Sequence, residues 1–163
     1  MNSLPKTQKC FQCGKYKKLK EFGVDKRGKY GRKRQCYPCK RISSREYRER
    51  KVEECDLRFY AGRIYANMKR KHDLMGLDYD PEFSLDEIEN IIANSKCEVS
   101  NRSFNPTNIT KYRINPFMAS PDRINNDVGY KKDNVRWVMV WINIARQMYD
   151  VDFFINLIKG VRW

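Results

Sequence analysis

The sequence contains no run of eighteen apolar residues, so no stretch is long enough to cross a bilayer as a helix. Its opening residues, MNSLPKTQKC, lack the apolar core of a secretory signal. A reducing compartment is therefore expected: the cytoplasm of a bacterium or phage-infected host cell, or the nucleus in a eukaryote. No Gly-rich phosphate loop, nucleophile elbow or dinucleotide fingerprint is present, nor any internal repeat or low-complexity segment. Histidine is almost absent. His72 is the only one, among Lys69, Arg70 and Lys71, and reads as a surface residue near a helix C-terminus. It is the one side chain that titrates near neutrality when unperturbed.

Acidic residues are scarce in one region. Residues 1–51 hold 18 of the 34 Lys and Arg but 4 of the 20 Asp and Glu, so the whole net charge of +14 lies there. Residues 52–163 hold 16 of each sign and are neutral. Solubility alone would not concentrate charge this way. A polyanion-binding module on a neutral domain would. The division expected is a basic module over 1–51 and a second domain over 52–163.

Within the basic region stand Cys10-Phe-Gln-Cys13-Gly14 and Cys36-Tyr-Pro-Cys39. Two CxxC pairs place four thiolates at tetrahedral spacing for a structural Zn²⁺, with Cys10, Cys13, Cys36 and Cys39 as ligands. The second pair runs into a helix-like stretch from Lys40, and the arrangement is similar to a treble-clef finger. Leu19, Phe22 and Val24 are its candidate core, too small to fold by burial alone without metal. Between the pairs, Lys26, Arg27, Lys29, Arg32, Lys33 and Arg34 surround Tyr30, a composition suited to phosphate contact with aromatic packing. The same run also fits a nuclear-localisation signal or a solvated loop.

Residues 40–54 are polar on nearly every face and read as a spacer helix. Asp56 is placed to cap a second helix, where Leu57, Tyr60, Ile64 and Met68 recur at helical spacing. Ser84 and Glu87 form a capping box for a third, with Leu85, Ile88, Ile91 and Ile92 buried. Cys55 and Cys97 read as small buried hydrophobes. Residues 101–117 read as a loop in which Lys111, Tyr112 and Arg113 would line a DNA groove. Asp150 is placed to cap a last helix, 151–159, packed through Phe153, Phe154, Leu157 and Ile158 and ended by Gly160.

The stretch FMASPDRINNDVGYKKDNVRWVMVWINIAR, residues 117–146, reads as strand, loop, strand and helix. Asp122 would end the first strand and Asn143 would lie early in the helix. A carboxylate and an amide oxygen could then converge, with Lys131, Lys132 and Arg136 nearby. Oxygen ligands among cations are the chemistry of a hard divalent ion gripping a phosphate.

The string SPDRIN…GYKKDNVRWV…WIN resembles the HNH, or ββα-metal, endonuclease motif in its phage and restriction-type form. The match is close over 117–146 and loose over 84–104. The resemblance implies an α+β fold: a small treble-clef-like finger, linking helices, then a ββα-metal unit with a C-terminal helix. It implies that Asp122 and Asn143 hold Mg²⁺ or Mn²⁺ and that Asn134 ties the loop to the hairpin. Arg123 falls where most members carry a general-base His, and an Asp-Arg pair recurs in this branch. An Arg cannot serve as an ordinary base. Arg123 would clamp the phosphate, leaving water, Tyr112 or Tyr130 as base. The implied activity is hydrolysis of DNA, taken as double-stranded, by a metal-associated water, and a homodimer is left open. The alternative is a non-catalytic zinc-finger nucleic-acid-binding protein on a degenerate HNH scaffold.

Overall fold

The structure, a computed structural model, describes residues 5–77, 80–107, 115–147, 149 and 151–159, the side chains of 151 and 157–159 excepted. It is α+β, with short antiparallel strand pairs and helices in two compact units, Met1–Lys51 and Val52–Trp163. Among the described residues no helix is long and apolar enough to cross a membrane.

In the first unit β1 (Thr7–Lys9) and β2 (Tyr16–Lys18) pair antiparallel, Gln8 opposite Lys17. Gly14, at φ +67, closes the turn between them and donates its N–H to Cys10 O at 2.9 Å. A side chain there would be held in the left-handed region, which glycine enters freely. β3 (Phe22–Val24) and β4 (Arg32–Cys36) form a second hairpin, and β4 delivers the chain into α1 (Tyr37–Glu53). Phe22 is fully buried, with Cys10, Cys36 and Cys39 around it. Val24, expected beside it, is exposed. The register of β3 on β4 shifts between Phe22 and Val24, and such a bulge turns the following side chain to the other face.

The second unit opens on α2 (Leu57–Leu74), capped by Asp56, whose side chain accepts from Phe59 N at 2.8 Å. α3 (Leu85–Asn94) carries the reciprocal capping box of Ser84 and Glu87. Both helices turn their apolar stripes inward, Tyr60 and Met68 from one and Ile88 and Ile92 from the other. β5 (Ala119–Arg123) pairs with β6 (Val135–Met139), setting Asp122 opposite Arg136 and Arg123 opposite Val135. Pro121 is tolerated because a two-stranded sheet consists of edges. α4 (Val140–Arg146) follows β6 directly, and α5 (Val151–Lys159) comes after it. Trp137 meets Phe83 edge-on at 5.5 Å, and Val138 and Ile142 are fully enclosed in the same core.

Three further expectations are corrected. His72 is not on the surface but wholly buried, because the loop residue Tyr130 stacks on its ring at 5.5 Å. Cys55 is only half-buried, at φ +51 in the turn between α1 and α2. Phe153 is exposed and lies against Tyr149, whereas Phe154 is buried. Asp150, Gly160, and the side chains of Leu157 and Ile158 lie outside the described residues, as do Lys111, Tyr112 and Arg113.

Candidate metal centre and candidate active site

The four cysteines of the first unit meet. The β1–β2 turn supplies Cys10 and Cys13, the end of β4 supplies Cys36, and the first turn of α1 supplies Cys39. Their sulfurs all lie within 4.8 Å of one another. Thiolates about 2.3 Å from a shared Zn²⁺ stand roughly 3.8 Å apart, so the cluster fits a zinc ion in donor type, number and spacing. Burial pushes the Cys10 thiol up, but the backbone N–H groups of Cys13, Cys36 and Gln12 outweigh it and bring it down to about 6. A hydrogen bond with Cys36, then burial, hold Cys39 up at about 12. Four sulfurs this close do not all ionise without a cation, and the ion supplies the compensating charge.

The basic loop on the same unit is an ordered turn. Asp25 O accepts from Gly28 N at 2.9 Å, and Asp25 donates its own N–H to Gly31 O at 3.0 Å. Gly28 is required there, since a Cβ would run into the carbonyl oxygen of Arg32. Lys29 sits 5.0 Å from the centre of the Tyr30 ring, and Arg32 donates to Phe22 O at 3.3 Å. Lys26, Arg27, Lys29, Lys33 and Arg34 have no ion-pair partner among the described residues. That leaves five cations on one turn facing water.

In the second unit the residues picked out between 117 and 146 cluster around a cavity of about 230 Å³. Asp122 from β5 and Asn143 from α4 both line it, with Arg123, Tyr130, Lys71 and Arg146. Asp122 is 4% exposed and bound by two guanidiniums. Arg136 Nε donates to Oδ2 at 2.9 Å, and Arg146 Nη2 donates to Oδ1. Asn143 Nδ2 donates to Ser120 Oγ at 2.9 Å and to Pro121 O at 3.2 Å, which pins the amide against β5. Its Oδ1 accepts no hydrogen bond among the described residues.

Asn134 holds the loop. Its Nδ2 donates to the carbonyls of Asn125, Val128 and Gly129 at 3.0, 3.2 and 3.0 Å, and its Oδ1 accepts from Asn125 N at 2.8 Å. Arg123 Nη1 donates to Asn126 O at 2.7 Å and Val128 O at 3.2 Å, so this side chain also braces the loop. Its remaining nitrogens have no acceptor among the described residues. Tyr130 is 2% exposed, between Arg123 and Lys71 at 5.5 and 5.8 Å and against His72. His72 Nε2 accepts the Tyr130 N–H at 2.6 Å, which uses its lone pair on the backbone.

The cations named from sequence differ in placement. Arg136 is half-buried against Asp122 and does not line the cavity, and Lys132 Nζ pairs with Glu87. That bond, then the Ser84 hydrogen bonds, bring the Glu87 carboxyl down to about 2. Two cavity residues escaped sequence reading, Lys71 and Arg146. Arg146 follows Asn143 by one helical turn, and i, i+3 residues share a face; that spacing was the available signal. Lys71 gave none, because the packing of α2 beside the hairpin is not written in its own periodicity.

Comparison with protein-family models, with curated proteins and with solved structures finds no match to this chain.

Proposed function

We propose that the chain is a metal-dependent DNA endonuclease of the HNH type, with a treble-clef-like zinc finger that grips the duplex. The observation that carries the proposal is the shared cavity: Asp122 and Asn143, from a strand and the helix after it, open on one space with Lys71, Arg123 and Arg146. One carboxylate and one amide oxygen among three cations match a phosphodiester and a divalent ion together. Each Asp122 oxygen accepts one guanidinium and keeps a second lone pair. The carboxylate can therefore ligate without leaving its strand, and Asn143 offers Oδ1 from a pinned amide. Two oxygen donors are few, so the fit is to an ion held jointly with the substrate phosphate, as Mg²⁺ commonly is.

When bound, that ion supplies Lewis-acid stabilisation of the phosphate. The protein's own part is charge and position. Arg123, braced through Nη1, has donors left for a non-bridging oxygen, and Lys71 and Arg146 add positive charge where charge develops. His72 does not line the cavity and has its Nε2 committed, so the base is water. A second reading is favoured by the double guanidinium bond to Asp122, which makes it a structural ion pair in a protein that binds nucleic acid without cutting.

Nicking of supercoiled plasmid distinguishes the two. Cleavage with Mg²⁺ or Mn²⁺, lost in Asn143→Ala protein that retains its zinc and helicity, supports the enzyme. Plasmid that is bound but never nicked with either ion leaves the binding protein.

A further inference from the structure

The finger carries a face that neither the four cysteines nor the basic loop accounts for. Phe11 stands between Cys10 and Cys13 and is 64% exposed. Its N–H donates to Arg34 O at 3.1 Å, and the Arg34 guanidinium lies 5.7 Å from its ring centre. Beside it three side chains from three segments close a ring. Gln35, on β4, donates through Nε2 to Gln12 Oε1 and to Ser43 Oγ, the latter at 3.1 Å. Ser43, on α1, donates through Oγ to Gln12 Oε1 at 3.2 Å.

Solvated hydrogen bonds of this kind add little to stability. What the ring does is hold two amides side by side. It uses Gln12 Oε1 and Gln35 Nε2, leaving Gln12 Nε2 as a donor and Gln35 Oε1 as an acceptor, both without a partner among the described residues. A fixed donor beside a fixed acceptor is the complement of adenine N7 and N6 in the major groove, and an apolar ring next to it suits the methyl of the paired thymine. The net charge of +14 over residues 1–51 selects a polyanion as the occupant. The major groove of A-form RNA is too deep and narrow for side chains to read, which selects DNA.

We propose that this face reads an A·T base pair of duplex DNA, Gln12 and Gln35 on the adenine edge and Phe11 on the thymine methyl, with Arg34 on an adjoining phosphate. The proposal rests on the DNA reading given above and adds sequence preference to it. Zinc-loaded full-length protein, without added divalent ion, would be selected against a randomised duplex library. Wild-type protein should enrich sites with one fixed A·T pair. The double variant Gln12→Ala/Gln35→Ala should lose about tenfold of the discrimination at that position, with affinity for unselected duplex unchanged. Replacing the thymine of the selected site by deoxyuridine should weaken wild-type binding and leave Phe11→Ala unaffected. Wild-type protein that binds duplex with no preferred A·T position overturns the base-reading proposal alone, as does a preference the double variant keeps. Protein that binds no duplex DNA at all overturns the DNA reading as well.

Discussion

The two units hold themselves together by different means. In the first, one phenylalanine and three cysteines are the buried apolar residues, while in the second seventeen such residues form one cluster. The first also carries the entire charge excess, a repulsion its small core cannot offset. Binding of zinc to such a cluster is worth about 10–16 kcal/mol in small fingers, and here that is folding free energy. The second unit needs no ion to fold, because burial and a buried polar network do that work. The lesson is that charge for binding and oxygen ligands for chemistry occupy units with independent sources of stability.

The largest effect should come from breaking the first source. Cys36→Ser should release the zinc and unfold residues 7–50, while the main thermal transition, that of the second unit, stays in place. Zinc content and calorimetry together check this, and one merged transition that falls as a whole would break the contrast. Next comes Asp122→Asn, which leaves Arg136 and Arg146 without their carboxylate. Removing one partner of a buried pair costs about 3–5 kcal/mol, read as a lower denaturation midpoint with zinc content unchanged. Asn134→Ala should cost less, about 2–3 kcal/mol, since it strands the Asn125 N–H and loop carbonyls that water reaches in part.

The smallest effect concerns Glu87. Its folded carboxyl is depressed to about 2 from an ordinary value near 4.5. The stability it adds is fully present above the unfolded value and is lost as pH falls from about 4.5 toward 2. Glu87→Gln should therefore lower stability slightly at neutral pH and follow a flatter acid limb, the two proteins converging near pH 2. Both partners face solvent, so the difference at pH 7 should be within the range of exposed pairs, up to about 1 kcal/mol.

What the sequence disclosed followed local rules. The CxxC spacings marked four cysteines that meet in space, and Asp56, Ser84 and Glu87 marked two helix starts through capping. The alternation around Asp122 marked β5, and the Asn-Asp-Gly content marked the loop. What stayed hidden depends on partners distant in sequence. His72 is buried because Tyr130, 58 residues on, covers it, and nothing in the polar run KRKH signals that. The second guanidinium on Asp122 comes from Arg146, reached only once α4 packs beside β5. The outward turn of Val24 comes from a bulge fixed by the pairing of two strands, not by the composition of either.

The most direct test of the division between the units is the salt dependence of duplex affinity in the full-length protein. Replacing Lys26, Arg27, Lys29, Lys33 and Arg34 together by Ala should flatten the plot of log K against log salt by about 0.9 for each phosphate that is no longer neutralised. Replacing Lys131 and Lys132 should change it much less, Lys132 being already paired with Glu87. A slope unmoved by the fivefold change, or moved more by the double change in the second unit, would contradict the account.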